Sequence, residues 1–372
     1  MKKIDLFFVL IIFNSSLFAG ELPDRRDILT TMEKTNNYFM AKYADFTAPS
    51  NVGRVRPSNI WTRSVYYEGL MALHQICPRE QYYDYALGWA EFHKWGYRDG
   101  NTTRNADNYC AGQTYVDLYN LCPTPEKVKN VRINAQMMLN TPQNGDWTWI
   151  DAIQMGMPLL IRMGVLDNDD RYFEKARQMY LHSRDIEGGH GLYNPKEGLW
   201  WRDSTFCPPY REPNGKNCYW SRGNGWVYAA LVRVIDLLPC HDSHRNMYLN
   251  DFKKMSKALK ACQREDGFWN VSLSDETHFG GKETTGTSLF VYGMAWGIRK
   301  GILPETDYLP TVIKAWNAMA REAVHENGFL GFVQGTGNKP ADGQPVTYDS
   351  MPDFEDYGLG CFLLAGSEVY KL

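Results

Sequence analysis

An all-α chain closed into an (α/α)6 barrel is the fold this sequence predicts, and three observations predict it. Apolar residues recur at helical spacing in one hairpin after another. The first helix of each hairpin carries a glycine near its start, at Gly69, Gly112, Gly156, Gly225, Gly286 and Gly358. The second helices carry more charge, as a solvated outer layer requires.

The hairpins follow in order. SVYYEGLMALHQI sets Val65, Leu70, Leu73 and Ile76 on one face, and QYYDYALGWAEFHKW follows the break at Pro78. YCAGQTYVDLYNLC pairs with PEKVKNVRINAQMML, and WIDAIQMGMPLLIRMG with DRYFEKARQMYLHSR. GNGWVYAALVRVIDLL pairs with YLNDFKKMSKALKACQ, and TTGTSLFVYGMAWGIRKG with YLPTVIKAWNAMAREAV. FEDYGLGCFLLAGSEVYKL ends the chain, and a helix from about Arg25 to Tyr43 is its partner. A glycine inside a helix costs about 0.5–1 kcal/mol relative to alanine. Six at equivalent places imply inner helices that approach closely. Periodicity does not establish closure, so an open stack of helical repeats is the rival architecture.

Bulk composition bounds the function. A chain of 372 residues with 44% apolar content and 12 Trp, 23 Tyr and 17 Phe builds a large core. A net charge of −3 gives no field for nucleic acid. Trp and Tyr also stack on sugar faces, which favours a carbohydrate ligand. Residues 1–19 have the form of a secretory signal: Lys2 and Lys3, an apolar run from Leu6 to Phe13, then Ala19 before Gly20. That run is too short to span a membrane, so no membrane insertion is expected. Export to a periplasm or the exterior follows, with residues 20–372 as one catalytic domain. The eight cysteines form no CxxC pair, and Cys207 and Cys218, bracketing a Pro-containing loop, are the pair best placed for a disulfide.

Three long segments precede inner helices: 185–225, 264–286 and 326–358. They gather on one face of a toroid, and a pocket is expected there. Asp107 and Asp151 lie 44 positions apart, one hairpin unit, at successive inner-helix starts. Paired carboxyls at a sugar-sized cleft are the equipment of glycoside chemistry. Helix capping is the alternative role for both. A helix start favours the carboxylate of Asp151, whereas a proton donor needs burial, or a neighbour such as Asp107, to raise its pKa.

YWSRGNGW supplies Arg222 as a planar fork for a substrate carboxylate, Trp220 and Trp226 as a sugar platform, and Asn224 as a polar contact. The alternative is a tight turn with Arg222 paired to a protein carboxylate. GKETTGTS adds Thr284 and Thr285, as substrate contacts or as caps. His190 is a loop histidine within reach of a hydroxyl, and CHDSH at 240–244 reads as a solvated turn on the opposite face. No metal-binding or dinucleotide fingerprint appears in a supporting context.

The segments RNADNYCAGQ, WIDAIQMGMP, YWSRGNGW and GKETTGTSLFVYGMAWGI together resemble glycoside hydrolase families 105 and 88, above all the unsaturated rhamnogalacturonyl hydrolases, over roughly Ile28 to Lys371. The resemblance implies an (α/α)6 barrel, no cofactor, no metal, and an acidic oligosaccharide bearing a 4,5-unsaturated uronic acid. It implies that Asp151 protonates C4 and directs water to C5, that Asp107 binds hydroxyls and tunes Asp151, that Arg222 meets the uronate and that Trp226 lines the site. One departure stands out. Arg202, in GLYNPKEGLWWRDSTF, occupies the place of a histidine common in the rhamnogalacturonyl members. Arg202 adds positive charge and alters the expected leaving sugar. A glycosidase or epimerase acting on saturated sugars, or a non-catalytic glycan-binding protein, are the other functions this sequence allows. Oligomeric state is not encoded in these motifs.

Overall fold

The inner helices of the computed structural model are buried on every side, and that single property organises the chain. Residues 20–51, 54–349 and 355–372 are described; residues 1–19, where a secretory signal is expected, lie outside them. Among the described residues are thirteen α-helices. The inner series is α2 (Trp61–Ile76), α4 (Ala106–Tyr109) with α5 (Gly112–Leu121), α7 (Asp151–Asp167), α9 (Ser221–Leu237), α11 (Thr284–Arg299) and α13 (Glu355–Val369). The outer series is α1 (Arg25–Lys42), α3 (Glu80–Phe92), α6 (Pro125–Leu139), α8 (Arg171–Asp185), α10 (Arg245–Ala261) and α12 (Glu305–Glu322).

Each inner helix packs on its neighbours, and α13 packs on both α11 and α2. The ring therefore closes, and the open stack is excluded. Two short hairpins, β1 (Ser50–Asn51) with β2 (Val55–Arg56) and β3 (Tyr193–Asn194) with β4 (Leu199–Trp200), are the only paired strands among the described residues. Closure needs glycine where α2 meets α13. A Cβ on Gly360 would strike the Val65 carbonyl and lie 2.8 Å from the Tyr66 Cα, and one on Gly69 would strike the Gly360 backbone. Main chain lies against main chain there, so neither helix can yield by moving a side chain.

Polar side chains at the centre of the ring pair across it. Pro158 inside α7 has no N–H for the Gln154 carbonyl. Gln113 Nε2 on α5 donates to that carbonyl instead, at 2.9 Å. Arg233 on α9 pairs with Glu68 on α2 at 2.9 Å and donates to Gln113 Oε1 at 2.9 Å, while Gln154 Nε2 reaches Glu68 at 3.1 Å. This plug joins four of the six inner positions. A basin of about 480 Å³ opens beside it at the helix C-terminal ends. Its charges are matched internally, Arg162 by Asp117 and Arg299 by Glu368 at 2.8 Å, so no uncompensated charge marks it as a site.

The disulfide expectation is corrected. Cys207 and Cys218 are buried free thiols, and the other six cysteines are free as well. Cys207 Sγ lies 3.6 Å from the Asp203 carbonyl, and burial pushes its thiol up to about 12. Glu212 holds the loop instead, accepting from Ser272 Oγ at 2.8 Å and pairing with His278.

Candidate active site

Loops reach the inner-helix starts in a repeated way. The residue opening or preceding an inner helix pairs through its main chain with the loop that leads to the next one. Ile150 N donates to Arg202 O, Ser221 N to Val271 O, and Thr284 N to Phe332 O, each at 2.9 Å. This stitching carries loop residues over the helix N-termini and sets Arg202 beside Asp151.

A cavity of about 180 Å³ lies there, the size for one sugar ring. Asp107 on α4, and Asp151 and Met155 on α7, line it. Trp61, Trp149 and Trp220 supply aromatic surface, and Arg56, Arg98, Arg202 and Arg222 supply positive charge. Ile60, Thr336, Gly337 and Asn338 complete the lining.

Neither aspartate is a helix cap. Asn105 caps α4, its Oδ1 accepting from Asp107 N at 3.0 Å, and Ile150 precedes α7 without a side-chain cap. Burial first, and then the neighbouring Asp151, push Asp107 up to about 7 against the pull of Arg202, Arg98 and Arg56. Burial likewise raises Asp151 above the ordinary carboxyl range, against the opposing pull of Arg202 and Arg222. Arg202 Nε stands 3.3 Å from Asp151 Oδ2, while its Nη1 pairs with Asp203 at 2.7 Å. Asp203 takes up much of the Arg202 charge. The arrangement can hold a proton near neutral pH and deliver it into a cavity lined by cations.

The other expected contacts divide. Trp220 lines the cavity, with its Nε1 donating to Gln334 Oε1 at 2.9 Å. Arg222 lines it too, stacked over Trp220 at 4.5 Å. Its terminal nitrogens are already engaged, Nη1 by the Gln334 carbonyl at 2.7 Å and Nη2 by the Gly335 carbonyl at 2.8 Å. Its partners are thus neither a protein carboxylate nor an open substrate position. Four expected contacts lie outside the lining. Trp226 is wholly buried, edge-on to Trp61 at 6.1 Å. Asn224 Oδ1 accepts from Trp200 N at 2.8 Å, and its Nδ2 donates to the carbonyls of Trp200 and Trp220, both at 3.0 Å. Thr284 Oγ1 donates to Gly331 O at 2.8 Å, and Thr285 is buried. The cap of α11 is Glu283, not a threonine. All four are buried against neighbouring protein rather than turned to the cavity. His190 hydrogen-bonds the Gly191 carbonyl at 2.9 Å and is no part of the lining.

Sequence reasoning missed Arg56, Arg98, Trp61 and the 336–338 tip. Arg56 and Arg98 sit in the outer-to-inner connections before α2 and α4. Applying the one-face rule to every such connection, rather than to the three longest, would have found them.

A closed six-hairpin toroid with two carboxyls raised above their ordinary range in a ring-sized, arginine-lined cavity defines a carbohydrate-active enzyme of the (α/α)6 class. The model of Glycosyl Hydrolase Family 88 matches residues 31–372, and the chain belongs to that family. It is similar to an unsaturated 3S-rhamnoglycuronyl hydrolase of Formosa agariphila, 31% identical over 333 residues, which cover 84% of each protein. Among solved structures it is similar to a family 88 glycosyl hydrolase from Bacteroides vulgatus, 31% identical with a TM-score of 0.84, covering 94% of this chain and 99% of the other. A polysaccharide lyase is similar at 30% identity and the same TM-score of 0.84, covering 93% and 97%. Among the described residues no helix is long and apolar enough to cross a membrane.

Proposed function

We propose that this glycoside hydrolase removes a terminal 4,5-unsaturated uronic acid, galacturonyl or glucuronyl, from lyase-generated acidic oligosaccharides by hydrating the C4=C5 bond. The observation that carries the reading is the pair Asp107 and Asp151, both raised above the ordinary carboxyl range in one cavity. An enol ether needs a proton at C4 and water at C5. It does not need a strong nucleophile. Protonated Asp151 gives its proton to C4, and positive character develops at C5, shared with the ring oxygen. Water bonds to C5 and yields a proton to the Asp151 carboxylate, which restores the acid. The resulting hemiketal opens by breaking its bond between C5 and the ring oxygen. A hemiacetal is left at C1, and its collapse releases the neighbouring sugar.

Asp107, itself raised by burial and by the neighbouring Asp151, offers oxygens to ring hydroxyls. The uronate carboxylate is drawn by the arginines. With both Nη atoms of Arg222 on main-chain carbonyls, Arg202 is the cation best placed beside the acid. The name of the Formosa relative supports a substrate of the unsaturated rhamnoglycuronyl class. Export to a periplasm or the exterior belongs to the same proposal and rests on residues 1–19.

Ultraviolet absorbance of the conjugated uronate tests the reaction. The wild type should erase it on lyase-digested glycans, and Asp151→Asn should lose about a thousandfold or more in kcat with thermal unfolding preserved. The lyase-like relative supplies the sharpest alternative. Absorbance that rises on intact polysaccharide would establish elimination and end the hydration reading.

A further inference from the structure

We propose that the loop from Gln334 to Gly343 selects the sugar on the leaving side, with Thr336 and Asn338 reading it and Arg222 acting as the clasp that positions the loop. The inference rests on the hydration reading above and extends it to a part of the site that the sequence motifs do not contain.

Gln334 is the loop's anchor. Its fully buried side chain accepts from Trp220 Nε1 at 2.9 Å and donates to the carbonyls of Lys339, Pro340 and Asp342 at 3.3, 3.2 and 2.7 Å. One amide thus folds the loop back on itself. Arg222 holds the same loop from outside, through the carbonyls of Gln334 and Gly335, and Tyr357 donates to the first of these as well. Gly335 N donates to Gly343 O at 3.0 Å and closes the base. Gly343 has φ +62°, and a Cβ there would strike the Gly335 carbonyl, so the base demands glycine. Asp342 accepts from Asn338 N at 2.9 Å and fixes the tip.

This base is tied more heavily than a passive connection needs, and it presents polar groups that nothing in the protein uses. Among the described residues, the side chains of Thr336 and Asn338 have no hydrogen-bond partner, and both line the cavity. Asn338 is the lining residue most open to solvent. The cavity has room for one ring, and the aspartates claim that ring for the uronate. The next sugar must therefore lie at the open side, where Asn338 stands. A side-chain amide there, with both donors and an acceptor, suits a sugar with adjacent hydroxyls. Arg222 acts through the loop and is a positioning residue.

The test compares two substrates of the full-length protein: an unsaturated disaccharide from lyase digestion and the methyl glycoside of the same unsaturated uronic acid. Asn338→Ala should lower the ratio of kcat/KM for disaccharide over methyl glycoside about tenfold, mostly through KM of the disaccharide, as the loss of one sugar hydrogen bond would. Arg222→Met should lower the same ratio and speed amide exchange within 334–343. A wild-type ratio in Asn338→Ala, whether both rates hold or both fall together, would overturn the loop's role. Unchanged exchange in folded Arg222→Met would overturn the clasp. A wild type that leaves the absorbance of both substrates intact would instead overturn the hydration reading, and the loop proposal with it.

Discussion

Asp107 should destabilise the protein that needs it, and Asp107→Asn measures by how much. Burial, then Asp151, move this carboxyl from its ordinary 3.8 to about 7 in the folded chain. At about 1.4 kcal/mol per tenfold, ionising Asp107 in the folded state costs about 4 kcal/mol. Water in the cavity screens the charge and brings the expectation down to about 2–4 kcal/mol. The sign follows from the direction of the change. A folded-state value above the unfolded one means that the folded protein keeps a proton the unfolded chain releases between pH 3.8 and about 7. Stability from this group is fully present below pH 3.8 and is lost as pH rises through about 7. Asparagine has the same shape and no proton to lose. In urea unfolding, Asp107→Asn should match wild type within about 1 kcal/mol near pH 4 and exceed it by about 2–4 kcal/mol near pH 8. A stability difference that is constant with pH, or a variant weaker than wild type near pH 8, would refute the burial argument. Turnover should fall in the same variant, as expected where a working site is kept at a cost in stability.

Two further expectations concern Arg202 and the ring seam. Burial raises Asp151 and Arg202 opposes it, so Arg202→Ala should move the alkaline limb of kcat/KM to higher pH, because the acid then holds its proton longer; an unmoved limb would detach Arg202 from Asp151. Gly360→Ala drives a methyl into the Val65 carbonyl and should cost about 2–3 kcal/mol or more in urea unfolding, whereas Gly358→Ala meets only the Val333 side chain and should cost less; equal losses would contradict the seam.

What was legible in the sequence, and what was not, follows from the range of the interactions. Helix periodicity and the six glycines are local signals, and both describe the ring. Gly69 marked a close approach, though its partner Gly360 could be identified only once α13 met α2. Asp107 and Asp151 were legible because one repeat unit separates them and equivalent positions in a ring face a common mouth. Trp226, Asn224, Thr284 and Thr285 were misplaced for the converse reason. They share short motifs with lining residues, but a helix turns by about 100° per residue, so neighbours in a motif face different ways. Asn224 ties down Trp200 and Trp220 while Arg222, two residues away, reaches the cavity. The length of the segment 326–358 placed the Gln334 loop on the pocket face, but gave no sign of what anchors it. Its anchors, Trp220 and Arg222, lie more than a hundred residues earlier.

Arg202 and Asp203 show why an arginine can stand beside a proton donor without disabling it. A guanidinium is charged at every working pH, and alone at 3.3 Å it would hold Asp151 ionised. Two things offset it. Asp203 engages Nη1 at 2.7 Å, so Asp151 sees much of a neutral pair rather than an isolated cation. The Nε contact to Asp151 also lacks hydrogen-bond alignment, which leaves the strongest form of charge stabilisation unmade. Burial then prevails over both arginines, and Asp151 stays above the ordinary range despite its place at a helix start. A histidine at position 202 would titrate near neutrality and would not need Asp203 in this role. The two residues therefore act as one unit: removing Asp203 alone should depress Asp151 and shut off protonation at lower pH, the reverse of removing Arg202.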